Sequence, residues 1–220
     1  MIRGIEQKPY EELFALRLHD EERLEDAQDG AMEAEERGLA PGDLRLVQEF
    51  VNTRNIETGH DDLASPDLLA AWLERRGLVA GKTFLTEADW QQAVRAREAL
   101  RAALLANNGA AFDADALDTL NRAARDAPLL VRVQPDGGAG LEVSASGVQE
   151  AIGRLLAVMF TAMINETWSR LKACRSDGCH WAFYDHSKNH SGTWCSMAVC
   201  GNRTKTRAYR QRARASIGRP

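Results

Sequence analysis

The sequence predicts a mostly helical α+β protein. An α-rich N-terminal domain with one β-hairpin precedes a small four-cysteine module built from a second hairpin and a basic helix. Three observations lead there. Apolar residues recur at helical spacing through most of the first 170 positions, the spacing turns strand-like once in that region, and all four cysteines fall between residues 174 and 200. At 220 residues and 44% hydrophobic content, the chain can bury one sizeable core beside a small module.

Residues 1–42 read as an acidic extension. The run YEELFALRLHDEERLEDAQDGAMEAEERG is rich in helix formers and poor in large apolar residues, which suits an exposed helix or arm ended by Gly38, Pro41 and Gly42. The α-rich domain, 43–172, opens with DLRLVQEFVNTRN, where Leu44, Leu46, Val47, Phe50 and Val51 mark a core helix. In SPDLLAAWLERRGL, Ser65 can cap, Pro66 suits the first helical position and Gly77 can stop the helix. Thr86 opens TEADWQQAVRAREALRAALLAN with Asp89 at capping-box distance, and Trp90, Val94, Leu100, Leu104 and Leu105 mark its buried side. DADALDTLNRAARDAP supplies another short helix before Pro128. LLVRVQPDGGAGLEVSAS then reads as two short strands around a Gly-rich turn. From Val148 the pattern is helical again and apolar on several faces, as expected of a central core helix. No Pro or Gly interrupts it between Arg154 and Cys174, so one helix is expected to run into the cysteine module and couple it rigidly to the domain.

The module, 173–220, carries Cys174, Cys179, Cys195 and Cys200 in the pattern C-x4-C-x15-C-x4-C. Two close pairs joined by a short loop are what a tetrahedral zinc site requires. The segment between them, with β-prone HWAFYDHS and GTWCSM around KNHSG, predicts a hairpin that returns the second pair over the first. Gly178 is placed to adopt backbone angles closed to other residues, and Trp181, Phe183, Tyr184 and Trp194 supply a minimal core. Ligand sets in which His180, His186 or His190 replaces a cysteine, paired disulfides and an Fe–S cluster are the alternatives. One structural zinc on four thiolates is the reading adopted, because a closed tetrahedron leaves no position for a reacting water and because metal binding can fold so small a unit.

Charge divides at the same place. Residues 1–169 carry 17 Lys/Arg and 30 Asp/Glu, whereas 170–220 carry 11 Lys/Arg and only Asp177 and Asp185 as acids. Such asymmetry suggests a polyanion-binding end joined to an acidic body. GNRTKTRAYRQRARAS begins directly after Cys200, with Asn202 as a helix cap. At about 100° per residue, Arg203, Arg207, Arg210 and Arg214 share one face, with Lys205 and Arg212 to the side. These six residues are the expected DNA contacts, through phosphates and major-groove base edges. A solvated surface helix, or one neutralised by the acidic domain, is the plainer alternative.

The run C-x4-C…W-C-S-M-x-x-C-G-N-R resembles the CGNR zinc-finger proteins of bacteria, named for residues that stand here as Cys200, Gly201, Asn202 and Arg203. Y-D-x-S-x-N-x-S at Tyr184 to Ser191 and K-x-x-x-Y-R-x-R at Lys205 to Arg212 are similar to theirs as well. Upstream, FVNT at Phe50 to Thr53 and the DLLAAWL helix are similar to the ABATE domain that usually precedes this finger. The resemblance covers roughly residues 43 to 215 and implies a stress-induced transcription regulator with a four-cysteine zinc site and DNA binding from Arg203 onwards.

The expected function is therefore a bacterial zinc-finger transcription regulator acting on double-stranded DNA, with the N-terminal domain binding a small-molecule effector, forming a homodimer, or both. The alternative is a zinc-scaffolded interaction module whose basic helix binds an acidic protein or RNA. No catalytic site is expected: there is no G-x-S-x-G, phosphate-binding loop or dinucleotide fingerprint. Phe50, Asn52 and Thr53 could line a ligand pocket, but Asn52 and Thr53 read rather as capping or bridging helices, GHDD at Gly59 to Asp62 as a polar loop, and Glu21 to Glu36 as a solvated face. The N-terminus shows no apolar stretch of signal length and no run approaches a membrane span, so a cytoplasmic protein, nucleoid-associated when bound to DNA, is expected.

Overall fold

The computed structural model describes residues 38–79, 81 and 83–217, so nearly all of the acidic extension lies outside the described residues. Helix α1, Leu44–Asn52, buries Leu44, Val47, Phe50 and Val51. Helix α2, Pro66–Arg75, starts as its sequence dictates: the Ser65 side chain accepts from Leu68 N, with Pro66 in the first turn. Gly77, at φ 65°, closes it in the left-handed conformation, and Leu78 N donates back to Leu73 O. Helix α3, Glu87–Asn107, opens with the full capping box of Thr86 and Asp89. Helix α4, Ala114–Asp126, is capped by the Asp113 side chain.

Strands β1, Leu129–Val133, and β2, Ala139–Val143, form the expected antiparallel hairpin, with Leu129 opposite Val143 and Val133 opposite Ala139. The hairpin lies on helix α5, Gly147–Ile164, at Gly153. A Cβ there would come within 2.6 Å of Val143 Cγ1 and 2.9 Å of Ala127 Cβ, so the close approach requires glycine. Helix α5 has a mean hydropathy of 1.3 over 18 residues, enough by length and composition to cross a membrane. Half of it is buried in the protein, and Val148, Ile152, Leu155 and Leu156 pack into the central cluster, which makes it a core helix here.

Two expectations about the connections fail. The helix from Val148 does not continue into Cys174: it ends at Ile164, Glu166 turns left-handed at φ 58°, and a 3-10 turn at Trp168–Arg170 leads into strand β3, Leu171–Ala173. Trp168 is buried and Leu171 and Ala173 are fully buried, so packing of this short apolar stretch against α3 prevails over the absence of a breaker residue. Nor does HWAFYDHS pair with GTWCSM. Strand β4, Ala182–Tyr184, pairs antiparallel with β3, Leu171 facing Tyr184 and Ala173 facing Ala182. The first two cysteines thus occupy the turn of a hairpin whose strands belong to the main core.

That hairpin, rather than a long helix, couples the module to the domain. One continuous cluster runs from Ala40 and α1 through α3 and α5 to Leu171, Ala173, Ala182 and Tyr184. The period of two places Phe183 on the other face, against Cys174, Cys179 and Cys200, with Trp181, Trp194 and Cys195 partly buried around it. Tyr184, expected in the small core, belongs instead to the large one.

The buried side of α3 also differs from expectation. Leu100 and Leu104 are buried, but Trp90, Val94 and Leu105 are only partly covered, while Arg97 and Arg101 are buried at 0% and 3% exposure. Arg97 donates to both carboxylate oxygens of Asp61 at 2.7 and 2.8 Å and to Thr53 Oγ1 at 3.1 Å. Arg101 donates to the Val51 carbonyl at 2.7 Å and the His180 carbonyl at 3.1 Å. Glu98 accepts from the Nε of both arginines. GHDD is thus more than a loop, since Asp61 is the counter-ion of a buried arginine. Burial alone would raise the Asp61 carboxyl, but Arg97, the Leu63 N–H and the Arg54 charge hold it below the usual range.

Candidate metal centre and nucleic-acid interface

Four short segments bring the cysteines together. Cys174 follows β3, and its N–H donates to the Trp181 carbonyl at 2.9 Å. Cys179 closes a turn with its N–H on the Ser176 carbonyl at 2.8 Å. The left-handed residue here is His180, at φ 50°, not Gly178. Its carbonyl is taken by Arg101, so tertiary contact holds a conformation that the local sequence disfavours. Cys195 and Cys200 flank Ser196, whose side chain accepts from Val199 N and starts a π-helical turn at Met197–Gly201.

The four Sγ atoms lie within 4.8 Å of one another, with Cys179 to Cys195 at 3.6 Å and Cys195 to Cys200 at 3.7 Å. A tetrahedron with zinc–sulfur bonds near 2.3 Å has edges of about 3.8 Å, so this spacing fits one zinc ion. Among the described residues, no histidine joins the cluster. Contacts with the Cys179 and Cys195 sulfurs pull the Cys174 thiol well below its ordinary value. The same contact with Cys174 pushes the Cys179 thiol up, and contacts with Cys174 and Cys179 raise Cys195. Sulfurs this close cannot all ionise without a cation between them, and a divalent metal supplies that charge. Three of the four cysteines are buried and Cys195 is partly so, an arrangement suited to a structural ion.

A buried ion pair fixes the loop between the cysteine pairs. Lys172 and Asp185 are each 4% exposed, and Lys172 Nζ donates to Asp185 Oδ2 at 2.7 Å, to the His190 carbonyl at 2.6 Å and to the Gly192 carbonyl at 3.1 Å. The Asp185 carboxylate also accepts from the Ser187 and Gly192 N–H groups at 3.0 and 2.8 Å. A Cβ on Gly192 would meet that carboxylate at 2.8 Å, which explains the glycine. Burial alone would raise Asp185, but Lys172 and the Ser187 and Gly192 contacts hold it well below the usual carboxylate range. The sequence alone assigned neither residue a role. The signal was there: Asp185 is one of only two acids in a strongly basic segment.

Asn52 and Gln48 fasten the module from α1. The Asn52 side chain donates to the Ala182 carbonyl at 2.9 Å and accepts from Ala182 N at 2.7 Å, so it pairs with β4 as a neighbouring strand would. Gln48 donates to the same carbonyl at 3.1 Å. The structural reading of FVNT therefore holds, with Phe50 against Trp72, Thr53 on Arg97 and Asn52 on a strand instead of a helix.

Helix α6, Asn202–Ile217, follows the π-helical turn without a break. Asn202 does not cap it: the side chain donates to Ala198 O, and capping falls to Ser196 one turn earlier. Thr204 Oγ1 donates to the Cys200 carbonyl at 3.0 Å, tying the first turn to a cysteine of the cluster. Arg203, Lys205, Arg207, Arg210 and Arg212 are exposed, and the Arg214 side chain lies outside the described residues. Arg203 pairs with Glu57 at 2.7 Å and Arg207 with Asp177 at 3.3 Å. Glu57 belongs to the N-terminal domain and Asp177 to the cysteine module, and neither was legible as a partner of this helix because the nearer one in sequence is 30 positions away.

A small unit whose four cysteines close one metal site and start a basic helix defines a zinc-finger protein. The chain belongs to the ABATE family, described as "Putative stress-induced transcription regulator", whose model matches residues 44–166. The CGNR zinc finger matches residues 170–213. Neither is a family of enzymes. No curated protein matches the chain.

Proposed function

We propose that the protein binds specific sequences of double-stranded DNA through α6, with zinc held by Cys174, Cys179, Cys195 and Cys200 as the mount. The observation that carries this reading is a helix with six Lys/Arg and no acid, whose first turn is fastened to Cys200. Arg203, Lys205, Arg207, Arg210, Arg212 and Arg214 supply phosphate and base-edge contacts. Six phosphate contacts would make log affinity fall with log salt at a slope of about −5. Arg207→Ala with Arg210→Ala should flatten the slope toward about −3.6, while an unchanged slope removes α6 from the interface. Random duplex selection with and without a zinc chelator tests specificity. One enriched motif, lost on chelation, is the expected result.

The N-terminal domain, 43–172, serves in this reading to dimerise or to bind an effector. Exposed Leu130, Val131 and Val133 on β1 favour dimerisation. The work would be done in the bacterial cytoplasm, on the nucleoid. A second reading, an interaction module for an acidic protein, draws support from the carboxylates that Arg203 and Arg207 already engage. It predicts no enriched DNA motif in either selection.

A further inference from the structure

We propose that the acidic segment 1–37 docks on α6 of its own chain and competes with nucleic acid for it. This deepens the reading of α6 as a polyanion-binding surface and rests on it.

Charge is the first support. Residues 1–37 hold twelve Asp/Glu against five Lys/Arg, and α6 holds six Lys/Arg with no acid, so the two segments nearly neutralise each other. Position is the second. The described chain begins at Gly38 on the cysteine module itself: its carbonyl accepts from Tyr184 N at 2.7 Å and from Gln48 Nε2 at 2.7 Å. His186 Nε2 donates to the Leu39 carbonyl at 2.9 Å. Gly38 lines one open depression with Trp194 and Cys195, five residues before the cysteine from which α6 departs. Thirty-seven residues can reach about 120 Å, and α6 is only about 24 Å long, so distance is no obstacle. The third support is that α6 already accepts carboxylates of its own chain, at Glu57 and Asp177, while Arg203 and Arg207 remain exposed around those contacts.

A tethered competitor acts at an effective concentration on the order of 1 mM. If the segment binds α6 with a dissociation constant of about 0.1 mM, it lowers the apparent affinity for DNA about tenfold. The contact is between charges in water, so it should fade as the Debye length contracts in salt.

Two measurements on the full-length, zinc-loaded chain test this. Carbodiimide couples a lysine amine to a carboxylate, and Lys205 is the lone lysine of α6. In dilute protein at about 50 mM salt and without DNA, Lys205 is expected to cross-link to acids of residues 1–37 within one chain. The cross-link should vanish at about 1 M salt and in Lys205→Arg, which keeps the charge. In parallel, duplex affinity is compared between the natural chain and one carrying Glu21→Gln, Glu22→Gln, Glu25→Gln, Asp26→Asn, Glu35→Gln and Glu36→Gln. The neutralised chain should bind about tenfold more tightly at low salt, with the difference gone near 1 M. Cross-links with no duplex binding by either protein would support the docking and sink the DNA reading. Equal duplex binding by both proteins, without cross-links, would overturn the docking and leave the DNA reading standing.

Discussion

Replacing Lys172 with methionine removes the cation from a buried pair and keeps most of the side-chain volume. The Nζ group serves Asp185, the His190 carbonyl and the Gly192 carbonyl together. With it gone, a carboxylate only 4% exposed keeps the Ser187 and Gly192 N–H groups but loses its counter-ion. Breaking one side of such a pair typically costs about 3–5 kcal/mol, since the orphaned charge stays buried. At about 2–4 °C per kcal/mol for a chain of this size, thermal unfolding should fall by roughly 10 °C. Adding Asp185→Leu to Lys172→Met should recover a good part of that loss, because the pair's own net worth is small. The acid dependence provides an internal check. Asp185 is depressed in the folded protein, so its contribution is fully present above the unfolded value near about 3.9 and is lost as pH falls through the folded value. In the Lys172→Met chain the carboxyl can take a proton at little cost, so the deficit against the natural protein should shrink toward low pH. A deficit below about 1 kcal/mol at neutral pH, or a double variant no better than the single one, would refute the reasoning.

Three further outcomes are expected. Asn52→Ala leaves the Ala182 amide without its partner and should cost about 1–3 kcal/mol; hydrogen exchange at Ala182 should accelerate, and unchanged exchange there would count against strand-like pairing. Asp61→Asn removes the bidentate one of the two carboxylates that face the fully buried Arg97, leaving only Glu98, and should destabilise by about 3 kcal/mol. Because Asp61 is depressed in the folded state, its contribution is present above about pH 4 and lost below, so the variant's acid unfolding limb should be flatter. Glu57→Gln with Asp177→Asn removes exposed pairs worth about 0–1 kcal/mol each, so duplex affinity measured by fluorescence anisotropy should rise a few-fold. A fall in affinity would show instead that these carboxylates aim α6.

Periodicity, caps and cysteine spacing determined much of this protein. Ser65, Thr86 and Asp89 act through neighbours within three residues, so their roles were readable in the chain, as was the hairpin around Gly137. The four cysteines could be read as one site because C-x4-C pairs leave few other ways to gather thiolates. Sequence also set the charge of α6, which no packing alters.

Tertiary structure decided what local signals could not rank. Nothing between Arg154 and Cys174 forbids a helix, yet burial of Leu171 and Ala173 made that stretch a strand. Strand pairing between 171–173 and 182–184, rather than within 180–198, followed from a core to which α1, α3 and α5 all contribute. Arg97, Arg101 and Lys172 look like surface residues in any local window. They are buried because Asp61, the His180 carbonyl and Asp185 await them from distant segments, and a buried charge is tolerable only where such partners converge. The cysteines specify a metal site by themselves, but the direction in which that site points its helix depends on contacts made across the whole fold.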